Sequence, residues 1–162
     1  MALSFSNKVV VITGASSGIG AGLAKYFAAR GAKVALAARS VEGLSAVAAE
    51  IGDDSKVLIV KTDVTKRRDH EALLAATLKK FGKVSVWINN AGAVVPKTFE
   101  QLEEEDLDSM ISVNTKSVLF GTQAAIKHFK QYSVSADTEG VVINVSSVLG
   151  RVPMYSGLAA YK

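Results

Sequence analysis

Apolar and polar positions along this chain alternate between two periods. Val9-Val10-Val11-Ile12 is an unbroken β-branched run, the pattern of a strand buried on both faces in a parallel sheet. After a glycine-containing turn, Leu23, Ala24, Phe27 and Ala28 recur at helical spacing within the stretch 21–30. Gly31 is a good helix terminator, and Lys33-Val34-Ala35-Leu36-Ala37-Ala38 reads as a second strand. A helix from Glu42 to Ile51 and a strand from Lys56 to Lys61 follow. From about Lys66 to Phe81 the spacing predicts a longer helix, with Leu73, Leu74, Thr77, Leu78 and Phe81 along one face and Gly82 at its end. Val84-Ser85-Val86-Trp87-Ile88 is a fourth strand, Leu107 to about Tyr132 one long helix, and Val141-Val142-Ile143-Asn144-Val145 a fifth strand. Strict alternation of strands and helices requires crossover connections, so the expected fold is α/β: a parallel sheet between two helix layers. No repeat or linker divides the 162 residues, and residues 1–162 read as a single domain with one core.

Composition narrows the chemistry. Without cysteine, disulfides, thiolate catalysis and cysteine-held metals are excluded, and no metal-ligand cluster is expected. The net charge of +4 is modest, and the run Lys66-Arg67-Arg68 is answered by Asp69 and Glu71, so a solvated helix start fits better than a nucleic-acid patch. His70 and His128 lie among polar neighbours and are expected on helix surfaces. No apolar run approaches the ~18 residues of a membrane span, and the N-terminus carries no signal-peptide core. The default expectation is a cytoplasmic protein.

In a parallel α/β sheet, ligands bind outside the carboxyl ends of the strands, where strand order reverses. Those ends are Thr13-Gly14, Arg39-Ser40, Asp63-Val64, Asn89-Asn90-Ala91-Gly92 and Ser146-Ser147, each small or hydrogen-bonding. After the first strand, Gly14-Ala15-Ser16-Ser17-Gly18-Ile19-Gly20 opens a helix, which brings backbone N–H groups and the positive helix end to one point. That point suits a phosphate. A tight turn with no ligand would need the same glycines. The lysine of a phosphate-binding NTPase loop is missing, which removes that class. An acid at the end of the second strand would hold an NAD ribose, and Ala38 stands there instead. Arg39 offers a two-pronged donor suited to a 2′-phosphate, so NADP(H) is expected over NAD(H); a surface arginine is the alternative.

Thr13-Gly14-Ala15-Ser16-Ser17-Gly18-Ile19-Gly20, Asp63-Val64, Asn89-Asn90-Ala91-Gly92, Asn114, Asn144-Val145-Ser146-Ser147 and a following tyrosine occur in an order and spacing that resembles the short-chain dehydrogenase/reductase family. The resemblance runs from about residue 7 to residue 162 and implies a Rossmann fold and an NAD(P)-dependent oxidoreductase acting on an alcohol or carbonyl substrate. It implies that Gly14, Ser16, Ser17, Gly18, Ile19 and Gly20, with Arg39 and Ser40, hold the cofactor phosphates. Asp63 and Val64 would meet the adenine, and Asn90, Ala91 and Gly92 would wall the adenosine ribose. Ser147 would orient the substrate oxygen, Tyr161 would act as general acid/base, and Asn114 would hold a proton-relay water. For Asn114 an exposed helix face is the alternative reading. Tyr155 competes with Tyr161, but Tyr161 lies fourteen residues after Ser147, near the family's usual spacing.

The family's active-site lysine, four places beyond the tyrosine, has no counterpart, because the sequence stops at Tyr161-Lys162. The expectation is a chain truncated in the C-terminal part of its fold, lacking roughly 80–100 residues of an ordinary domain, with little turnover of its own. Homodimer or tetramer formation is implied for longer family members. Two other classes compete with this reading. A non-catalytic nucleotide-binding regulatory or interaction protein fits the missing lysine; a Rossmann-type methyltransferase is disfavoured by Ala38-Arg39.

Overall fold

The computed structural model describes residues 3–132 and 140–147. Its elements run β1 (Val9–Thr13), α1 (Gly18–Ala29), β2 (Lys33–Ala38), α2 (Val41–Ile51), β3 (Val57–Lys61), α3 (Arg67–Phe81), β4 (Val86–Asn89), α4 (Glu104–Ile111), α5 (Ser117–Tyr132) and β5 (Val141–Asn144). Among the described residues the strands form one parallel sheet in the order β3-β2-β1-β4-β5. The chain grows outward from β1 to β3, then returns to the other side of β1 to lay down β4. The reversal therefore lies between β1 and β4.

The expected Rossmann-type layering is present. Every residue of β1 is buried, and the strand's alternation splits its side chains between two cores. Val10 and Ile12 pack with Ala24 and Phe27 of α1 and Leu44 and Val47 of α2. Val11 faces the other way, toward Trp87 of β4, Leu73 of α3 and Ala124 and Ala125 of α5. Fully burying one such branched side chain contributes about 1.5–3 kcal/mol, so the apolar run is what seats β1 at the centre of the sheet.

Two expectations need correction. The single long helix is three pieces: α4, a π-helical turn over Ser112–Lys116, and α5. Its start also lies at Glu104, where Glu103 and Asp106 form a capping box. The two histidines are buried, His70 at 1% exposure and His128 at 3%. Their positions follow the apolar stripes. His70 stands one turn before Leu73 and two before Thr77 on the inward face of α3, and His128 one turn after Ala124 and Ala125 of α5. No helix among the described residues is long and apolar enough to cross a membrane.

Candidate functional site

A cleft of about 1170 Å³ opens along the carboxyl ends of the strands. It is lined by Gly14, Ser16, Ser17, Gly18, Ile19 and Gly20 from the β1–α1 turn, Arg39 and Ser40 after β2, and Asp63 and Val64 after β3. Asn90, Ala91 and Gly92 after β4, Asn114 of the π turn and Ser147 after β5 complete the set of described residues expected there. Tyr155, Tyr161 and Lys162 lie outside the described residues.

The β1–α1 turn has the shape its glycines allow. Gly14 and Gly18 have φ of +67° and +53°, the left-handed region that side chains other than glycine's rarely adopt. A Cβ on Gly14 would come 2.9 Å from Ala91 Cα, so this residue lets the β4 loop approach. A Cβ on Gly20 would collide with the Gly14 carbonyl and the Asn90 amide. A Cβ on Gly18 would meet no atom within 4 Å; the space in front of it belongs to the cleft. Ser17 occupies the N-cap of α1 without making a side-chain cap, so the first-turn N–H groups have no intrahelical or cap acceptor.

The β4 loop is held to this turn by Thr13, a residue the sequence reading did not assign to the site. Its buried Oγ1 donates to Ile88 O and accepts from the backbone N–H groups of Asn90 at 3.0 Å and Ala91 at 3.2 Å. Asn90 answers with its own amide, which donates to Thr13 O at 2.9 Å and Gly14 O at 3.3 Å. Asn90 therefore braces the turn with its side chain. A threonine between a buried strand and a glycine was the available signal, but its partners lie more than seventy residues downstream.

On the far side, Asn114 bonds the backbone of Ala93 at both ends, accepting from its N–H and donating to its carbonyl, each at 2.8 Å. This half-buried position excludes the exposed-face reading. One lone pair of Oδ1 and one N–H of Nδ2 are left over from that pairing. Asn89, beside it, has its Oδ1 on Trp87 Nε1 and its Nδ2 near Thr122 Oγ1 and Asn144 Oδ1, tying β4 to α5 and β5.

Charge in the cleft is unevenly placed. Arg39 is exposed and makes no hydrogen bond or ion pair with the described residues. Ser40 caps α2 by accepting from Gly43 N, and its hydroxyl donates to Glu42 at 3.2 Å. The helix-end backbone, then the Ser40 hydroxyl, hold the Glu42 carboxyl below its usual range, with Lys61 the charged neighbour that adds to this. Asp63 is likewise held low, chiefly by the Thr65 hydroxyl at 2.8 Å, with Lys66 adding an ion pair.

Comparison with known proteins agrees with this geometry. The model of the short chain dehydrogenase family matches residues 8–162. An uncharacterised oxidoreductase of Listeria monocytogenes is 39% identical over 160 residues, covering 98% of this chain and 62% of the relative. One from Staphylococcus saprophyticus is 39% identical over 155 residues, covering 96% and 60%. The chain thus spans about three-fifths of these relatives' length. Among solved structures, a 3-ketoacyl-(acyl-carrier-protein) reductase from Brucella melitensis complexed with NADH superposes with a TM-score of 0.90 at 42% identity, covering 98% of this chain and 64% of that one. Fold, cleft and sequence concur: the chain belongs to the short-chain dehydrogenase family of oxidoreductases.

Proposed function

We propose that the cleft binds NADP(H) and that the protein exchanges a hydride between the nicotinamide and an alcohol or carbonyl substrate. The observation that carries this reading is the convergence, at the β1–β4 reversal, of the uncapped α1 N-terminus, the open space before Gly18 and the unpaired Arg39. A dinucleotide pyrophosphate fits the first two, and a 2′-phosphate fits the third. Asp63 and Val64 would receive the adenine, and the Asn90–Gly92 segment the adenosine ribose.

The bound nicotinamide supplies or accepts the hydride. Ser147 would donate a hydrogen bond to the substrate oxygen, and Tyr161 would give or take the proton there. Asn114, with one N–H and one lone pair left after it holds Ala93, would fix a water that passes this proton onward. Val94, Val95, Val113 and Val118 give that end of the cleft an apolar lining suited to a carbon skeleton.

Titration with NADPH and NADH, followed by nicotinamide fluorescence, tests the reading. NADPH is expected to bind at least tenfold more tightly, and Arg39→Ala to bring its affinity down to that of NADH. Equal affinities in the unaltered chain would refute the NADP(H) assignment. Binding of neither would refute the site.

A further inference from the structure

His70 is a polar residue where the two cores and the helix layer leave it almost no water. Its ring lies between Trp87 of β4, with centroids 6.3 Å apart and planes 27° apart, and Phe120 of α5, met edge-on at 6.2 Å. Its Nε2 lies 2.9 Å from the carbonyl oxygen of Val64, and its Nδ1 is buried without a partner. A carbonyl only accepts, so Nε2 carries the proton and Nδ1 presents a bare lone pair to apolar surroundings. Burying a polar ring at a packed aromatic junction costs free energy that a leucine or phenylalanine would not cost. The one bond it makes goes to the β3–α3 loop, and that loop forms one end of the cleft.

The next residue back acts on the same loop. Asp69 accepts from Asp63 N at 2.9 Å, while Asp63 accepts from Thr65 N and Thr65 Oγ1. Asp69 thus fixes the peptide entering the loop and His70 the peptide leaving Val64. Between those two anchors stand the side chain of Asp63 and the face of Val64, both on the cleft.

We infer that His70 is a positioning residue for the adenine end of the cleft: through its Nε2–H it sets the Val64 peptide from behind, touching no ligand itself. This rests on the cofactor reading above for what the loop receives, but not for the anchoring. Trp87 and Phe120 hold the ring in register from β4 and α5, so the loop is referenced to the centre of the sheet rather than to β3 alone.

Two substitutions separate the donor from the bulk. His70→Phe keeps an aromatic ring and removes the donor; His70→Gln places an amide N–H the same number of bonds from the backbone as Nε2–H. Hydrogen exchange is followed in the nucleotide-free protein over residues 57–66, with residues 9–13 as internal reference, and NADPH affinity is measured alongside. His70→Phe is expected to speed exchange at Asp63 to Lys66 about tenfold, leave β1 unchanged and weaken NADPH about fivefold; His70→Gln should stay within about threefold of the original on both. Unchanged loop exchange in His70→Phe, equal acceleration in loop and β1, or a Gln variant that behaves like Phe would overturn the inference. If the unaltered chain binds no NADPH, the cofactor reading fails, while the exchange contrast still decides the anchoring. Imidazole ¹⁵N signals of the unaltered protein give a check free of any folding defect: a neutral Nε2–H tautomer is expected, and an Nδ1–H tautomer would overturn the inference.

Discussion

Thr13 Oγ1 serves three backbone groups at once, and the cost of losing it can be argued from that count. Thr13→Val keeps the shape but orphans the N–H groups of Asn90 and Ala91. Leaving a buried donor unpaired costs about 1–3 kcal/mol. Urea denaturation is expected to show a loss in that range for Thr13→Val and a smaller one for Thr13→Ser, which keeps the hydroxyl. Glu42 gives the opposite kind of prediction. Its carboxylate, held ionised, takes the hydroxyl of Ser40, a residue of the cleft next to Arg39 in sequence, and on the cofactor reading a 2′-phosphate there would meet it as a like charge. Glu42→Gln should therefore raise the ratio of NADPH to NADH affinity several-fold, read in paired titrations. The places of the glycines, Asp63 and Arg39 along the cleft were legible in the sequence because turn conformation and charge are local properties. Thr13's three bonds and the Ser40–Glu42 bond are contacts that spacing does not reveal.

At the scale of elements, the strand–helix alternation was readable, since the strands are short apolar runs and the helices carry apolar stripes. The π turn at Ser112–Lys116 was not, because a single π turn leaves the apolar spacing on either side almost unchanged. It matters because Asn114 lies inside it and holds the β4 loop through Ala93. Asn114→Ala removes both bonds and leaves the Ala93 groups short of partners. The expected loss is about 1–3 kcal/mol, with faster hydrogen exchange at Ala91 to Val95 and no change at β3. The histidines were misjudged for a related reason. Their sequence neighbours are polar, but neighbours three and four positions away share a helix face, and those are Leu73 and Leu74 for His70 and Ala124 and Ala125 for His128.

For the molecule as a whole, those two buried imidazoles set how stability responds to acid. Burial lowers the pKa of each from the ordinary value of 6.5; for His70 the Val64 carbonyl offsets part of this. Val84 N–H donates to His128 Nε2 at 3.2 Å, an arrangement that protonation would break. The folded state binds protons less readily than the unfolded chain, so this contribution is complete above about pH 6.5 and is lost as the pH falls toward the lowered values. Thermal midpoints should decline from about pH 7 to pH 5, and His128→Gln should flatten that decline. Stability unchanged across this range would contradict the burial of both rings. Among the described residues β5 is one of the two edge strands of the sheet, and it keeps Val141 and Ile143 half-exposed.

The most direct test of the cofactor cleft is amide NMR of the ¹⁵N-labelled chain during titration with NADPH. Saturable shifts are expected at residues 14–20, at Arg39 and Ser40, at Asp63 to Thr65 and at Asn90 to Ala93, with little change on the amino-terminal side of the sheet. Saturable shifts confined elsewhere, or none at all in a folded chain, would contradict the assignment of the strand-end cleft as the nucleotide site.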